Sequence, residues 1–126
     1  MRSPDLKKGE KIILWSQSTL YMKNSWQQGY LFLTTSRLIF NQVTKLTYET
    51  DLKDIIKLRI EKKLWFFGVR VKQLCVDFNS EKGQEKVYLA LANPEKWKYK
   101  IIESMTLMLA GGWDYNGANA ESNSNT

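Results

Sequence analysis

The sequence predicts a mainly β domain closed by one C-terminal α-helix, and two observations carry that prediction. From Ile12 to Ala92 apolar residues recur mostly every second position, and after Asn93 the period lengthens to 3.6. The most informative stretch is Gln27 to Gln42, where two period-two runs meet at Thr34-Thr35-Ser36 and read as a hairpin. Tyr30, Phe32 and Thr34 alternate there with Leu31, Leu33 and Thr35, and Arg37-Leu38-Ile39-Phe40 restarts the pattern after the turn.

The elements follow in order. Met1 to Lys8 is polar and basic, and Pro4 discourages regular structure. Lys11-Ile12-Ile13-Leu14-Trp15 opens a first strand that runs to Met22. Lys23 to Gln27 is turn-like, and the hairpin supplies strands two and three. Leu46, Tyr48 and Thr50 alternate with Lys45, Thr47 and Glu49 in a fourth strand within Thr44 to Leu52. Ile55 to Ile60 gives a fifth. Val69 to Phe78 and Glu85 to Ala92 are strands six and seven, joined across Asn79 to Gly83, a loop composition. Asn93 is suited to cap a helix whose first turn carries Pro94 and Glu95. Trp97, Ile101, Met105 and Met108 form the stripe that faces the sheet, and Gly111-Gly112 ends the helix. Trp97 reads as a core anchor, and Cys75, between Leu74 and Val76, as a small buried hydrophobe.

Composition bounds the function classes. A chain of 126 residues, 43% hydrophobic and 13% aromatic, is about one domain and can bury its own core. A single Cys75, no apolar leader and no apolar run near the roughly 20 residues of a membrane span point to a cytoplasmic, soluble or peripheral protein. All 19 Lys and Arg fall in residues 1–110 against 11 of the 13 acids, so that part carries net +8, which suits an acidic partner. The remainder, 111–126, is rich in Asn, Ser, Gly and Ala and reads as a flexible tail or linker. The chain has no His, no Gly-rich phosphate loop and no ligand cluster spaced for zinc. The expectation is therefore no catalytic residues, no metal and no cofactor, and a binding module instead of an enzyme.

Residues within the hairpin and beyond it resemble a known family. Gly29, Leu31, Leu33-Thr34 and Arg37-Leu38-Ile39-Phe40 look like the hairpin motif of the GRAM family. Leu52, Ile55, Phe67-Gly68, Gly83 and Trp97 follow in that family's order, over residues 6–110. The resemblance implies the pleckstrin-homology-like superfold: a seven-stranded antiparallel curved sheet or partial barrel capped by the C-terminal helix. GLUE modules of the endosomal sorting machinery share the hairpin and are the nearest alternative. Members of these groups bind phosphoinositides or other anionic lipids or act as protein adaptors, and GLUE modules also bind ubiquitin.

Two candidate sites emerge. Residues 53–72 hold Lys53, Lys57, Arg59, Lys62, Lys63, Arg70 and Lys72 against Asp54 and Glu61, net +5, and they frame Leu64-Trp65-Phe66-Phe67-Gly68. Four consecutive bulky apolar residues at a strand junction cannot all face one core. The leading expectation is that Lys62, Lys63, Trp65, Phe66, Phe67, Arg70 and Lys72 bind anionic membrane lipid; the competing one packs the aromatics inward. The second site is a headgroup pocket formed by Lys23, Arg37 and Lys45, although Gln27 to Thr35 lacks the paired basic residues that phosphoinositide-gripping pleckstrin-homology domains usually carry, and Arg37 is equally suited to holding the turn. Two other partner classes are weighed: ubiquitin or another protein held on a strand edge or the aromatic loop, and, ranked last, nucleic acid.

Overall fold

The computed structural model describes residues 3–42, 46–64 and 70–110. Seven strands, β1 (Ile12–Met22), β2 (Ser25–Thr34), β3 (Arg37–Asn41), β4 (Leu46–Asp51), β5 (Ile55–Leu64), β6 (Arg70–Ser80) and β7 (Gly83–Ala90), precede one helix, α1 (Pro94–Leu109). A 3-10 turn, Leu52–Asp54, links β4 to β5. The strands form one antiparallel sheet in the order β4-β3-β2-β1-β7-β6-β5, so the seven strands and closing helix expected from the sequence are observed.

Several boundaries differ from expectation: β6 runs to Ser80 and β7 starts at Gly83, so the expected Asn79–Gly83 loop shrinks to Glu81-Lys82, and three others have a local reason. Lys23 and Asn24 alone make the first turn, both with positive φ, as a two-residue hairpin with the right twist demands. Ser25, Trp26 and Gln27 therefore already belong to β2. β5 continues past Ile60 to Leu64, because backbone pairing with β6 persists to Leu64 opposite Arg70 after the apolar alternation has stopped. β7 stops at Ala90 because the chain turns away into α1, whose N-cap Asn93 accepts a hydrogen bond from the Lys96 N–H at 3.2 Å. The expected tail 111–126 and the Gly111-Gly112 helix stop lie outside the described residues.

The core occupies the concave side of the sheet. Leu31, Leu33, Leu38, Phe40 and Tyr48 from β2–β4 meet Leu74, Val76, Phe78, Val87 and Leu89 from β6 and β7. Trp97 and Ile101 of α1 close the assembly, with Met105 and Met108 packed at its margin, as the helical stripe predicts. Cys75 is buried but belongs to the opposite face, beside Arg59 and Asp77. Gly29 is needed for packing: a Cβ there would lie 2.3 Å from the Asn41 carbonyl oxygen.

β1 crosses from one half of the sheet to the other. It pairs with β2 along its whole length but with β7 only from Thr19 to Tyr21. On the other side of the split, β7 ends opposite Gln73, so Arg70–Lys72 of β6 and Lys62–Leu64 of β5 project beyond it as a two-stranded arm.

Candidate functional site

The projecting arm of β5 and β6 carries the described part of the basic segment. Lys62 sits directly opposite Lys72, Lys63 opposite Val71, and Leu64 opposite Arg70. Alternation along the strands puts Lys62, Arg70 and Lys72 in register with the core residues Ile60 and Leu74, on the face that further along covers the core. The side chains of Lys62 and Arg70 are exposed. Like charges placed directly across a ladder repel, and Lys72 relieves the clash by pairing with Glu95 of α1 at 2.8 Å. That contact holds the Glu95 carboxyl below its usual range. Trp65, Phe66 and Phe67 lie outside the described residues.

The rest of the net +5 segment does not converge on the arm. Arg59 is engaged on the opposite face, with Asp77 at 3.1 Å, Cys75 Sγ at 3.1 Å and a close ion pair to Glu61. The hydrogen bond to Asp77 raises its pKa above the ordinary guanidinium value. Burial likewise pushes the Cys75 thiol up, which makes it a poor nucleophile. Lys53 stands in the turn before β5, at the opposite end from Lys62, with roughly 23 Å of strand between Ile55 and Lys62. There it meets Lys7 and Lys8 around a recess of about 290 Å³ also lined by Glu10, Ser36, Asp51 and Met108. No local pattern signals this lysine grouping, because Lys53 lies more than 40 residues from Lys7 and Lys8.

The expected headgroup pocket is dispersed as well. Lys23 occupies the β1–β2 turn and pairs with Glu85 at 3.3 Å. Arg37 begins β3 at the far end of β2, about 30 Å away, and Lys45 lies outside the described residues. Arg37 is buried, and four of its five guanidinium N–H groups have partners. Nε and Nη2 donate to Glu10 at 2.8 and 2.7 Å, Nη1 donates to Glu49 at 2.9 Å, and Nη2 also reaches the Asp5 carbonyl at 2.8 Å. Hydrogen bonding to Glu10 drives the Arg37 pKa upward. Burial alone would raise Glu10, but hydrogen bonds from Arg37, Thr34 and the Lys7 N–H lower it to about 2. Arg37 thus clamps the N-terminal segment, the β2–β3 turn and β4 together.

Two other clefts frame these sites. One, of about 640 Å³, is acidic, with Glu49, Asp51, Asp54 and Glu81 beside Thr50, Asn79 and Ser80. The other, of about 590 Å³, opens at the β1–β7 split and is lined by Gln17, Ser18, Thr19, Gln28, Gly29, Tyr30, Ala90 and Ala92, with no charged side chain. Aromatic rings flank it: Trp15 lies 6.2 Å from Tyr30, and Tyr21 lies 4.3 Å from Trp26 and 6.1 Å from Tyr88. No described helix is long and apolar enough to cross a membrane.

Comparison with known proteins places this fold. No protein-family model matches the sequence, and neither does any curated protein. Among solved structures, the chain is similar to a Vps36 N-terminal PH domain, with a TM-score of 0.63 and 24% identity over 85% of this chain and 87% of that one. It is also similar to the C-terminal domain of an unknown protein from Leishmania infantum, with a TM-score of 0.59 and 14% identity over 79% of this chain and 87% of that one.

Proposed function

We propose that this PH-like domain is a non-enzymatic module of GRAM or GLUE type that brings its protein to the cytoplasmic surface of a membrane by binding anionic lipid, phosphoinositides included, through the β5–β6 arm. One observation supports the reading above the others. Lys62 and Arg70 are exposed on one face of an arm that extends past the end of β7, where they can approach a planar surface without the rest of the sheet intervening. Lys72 adds charge at the arm's root while tied to Glu95. Each basic residue near an anionic leaflet contributes about 1 kcal/mol, and an inserted Trp65 or Phe66 would add apolar burial. Binding of this kind is weak, reversible and lost as salt rises.

Vesicle flotation tests the proposal. The wild type should float with phosphatidylserine or phosphoinositide vesicles and stay behind with neutral ones. Trp65→Ala, Phe66→Ala, combined with Lys62→Ala, should abolish flotation while leaving the thermal transition unchanged. Equal flotation of a folded triple mutant would exclude the arm.

A second reading, a protein-interaction adaptor binding ubiquitin or an endosomal sorting partner, draws on a different feature. Tyr99, Ile102 and Leu109 project from the outer flank of α1, at 64%, 45% and 83% exposure. Apolar residues at this spacing on a water-facing helix fit a protein surface better than a lipid headgroup. A ubiquitin titration followed by the resonances of these three residues distinguishes the two readings, since lipid binding should leave them unmoved.

A further inference from the structure

Several strand edges lack a partner strand among the described residues, and the sequence treats three of the long ones differently. The outer edge of β4 carries Glu49 and Asp51, and the outer edge of β5 carries Lys57, Arg59, Glu61, Lys62 and Lys63. Charges of this kind keep an open edge from pairing with stray strands. The third edge is the first half of β1. From Ile12 to Ser18 it faces the β1–β7 split, and all eleven residues of β1, Ile-Ile-Leu-Trp-Ser-Gln-Ser-Thr-Leu-Tyr-Met, are uncharged. None of Ile12–Gln17 is buried, although β1 lies in the middle of the sheet order.

The split has a structural cause. Asn93 and Pro94 start the helix and draw the chain off the sheet after Ala90, so β7 cannot follow β1 further. The Ser18 hydroxyl bridges the gap at its closed end, donating to the Ala90 carbonyl at 3.0 Å. Beyond that point the β1 edge offers alternate N–H and C=O groups from Ser18 back to Leu14, with a register shift between Leu14 and Ile12 at its far end. An exposed row of such groups is a template for an added strand.

We infer that the β1 edge from Ile12 to Ser18 is a docking site for a short, extended, uncharged peptide segment of a partner protein, which adds a strand in the β1–β7 split. The edge is about 23 Å long, which accommodates roughly seven extended residues. The adjoining cleft of about 590 Å³, lined by Gln17, Thr19, Gln28, Tyr30, Ala90 and Ala92, can take the alternate side chains of such a strand. Its lining holds no charge to pair with an acid or base, so burying a charged peptide residue there would go uncompensated. Trp15, half exposed beside Tyr30, supplies the apolar anchor. A second copy of this chain fits less well: its own β1 is flanked by β2 and by its own Ala90–Ala92 wall, whereas a lone strand can enter the split. The site is separate from the basic face of the β5–β6 arm, and the inference stands whether or not the domain binds lipid.

Selection from a displayed random heptapeptide library, followed by hydrogen exchange of the protein with the recovered synthetic peptides, tests it. The expected peptides are uncharged with alternating apolar positions. They slow exchange of alternate amides between Ile12 and Ser18 at least tenfold, and methylation of the peptide's own alternate amide nitrogens weakens binding at least tenfold. Trp15→Lys should remove capture while leaving vesicle flotation intact; the methylated peptide tests the same edge on unaltered protein. The inference is overturned if no peptide is recovered, if the recovered peptides are charged or protect other amides, or if the β1 amides of the free protein are already protected in proportion to its concentration, which would indicate self-pairing.

Discussion

Arg37 and the β5–β6 arm put the same chemistry to opposite use. At the β2–β3 turn, one guanidinium is buried among Glu10, Glu49 and the Asp5 carbonyl, with Nε and both terminal nitrogens engaged. On the arm, Lys62 and Arg70 are exposed, and Lys72 has a solvent-exposed partner. Burial makes the first arrangement stabilising only as a complete set, since removing one partner strands a charge in a poorly solvated place. Exposure makes the second nearly neutral for folding and leaves its charge free to act on something outside. A cation's availability to a ligand is thus set by what surrounds it.

Substitutions can break this contrast, the largest effect first. Arg37→Ala should destabilise the domain by about 3–5 kcal/mol in urea unfolding, because Glu10 is left buried and unpaired. Arg37→Ala combined with Glu10→Gln should recover part of that loss, which a double-mutant cycle would read directly. Acid should act through the same pair. Glu10 is held near 2 in the folded protein against 4.5 when free, so its contribution is complete above about pH 4.5 and is lost as pH falls towards 2. The loss amounts to as much as about 3 kcal/mol, and Glu10→Gln should flatten that limb of the stability curve. Exchanging Lys62 or Arg70 for Ala should change stability by less than about 0.5 kcal/mol, yet weaken binding to anionic vesicles by about 1 kcal/mol each. Smallest is Lys72→Ala: water screens the exposed Glu95 pair, so its loss should leave the urea midpoint nearly unchanged while releasing Glu95 to titrate nearer its ordinary value. Should Lys72→Ala instead match Arg37→Ala, the distinction between the two regions fails.

Much of the fold was legible before any coordinates. Alternation in Tyr30–Thr35 and Arg37–Phe40 identified the hairpin, and the shift to 3.6 at Asn93 located the helix start, since both signals are local. Trp97 and Ile101 face the core as their spacing implied. Strand ends were harder. The extension of β5 through Lys62 depends on backbone pairing with β6, which does not require apolar side chains. The candidate sites were legible only as inventories. Residues 53–72 read as one basic patch, yet alternation and strand length send Arg59 to the opposite face and Lys53 to the other end of β5.

By itself the sequence determined seven strands, a capping helix, a cationic balance and the absence of charge along β1, because period, cap chemistry and composition are properties of neighbouring residues. Only the tertiary structure decided that Arg37 is consumed by Glu10, 27 positions away, that Lys7 and Lys8 meet Lys53, and that β7 parts from β1 after Ala90. Those outcomes depend on which distant segments the sheet order brings together, and pairing of that range leaves no periodic trace in the chain.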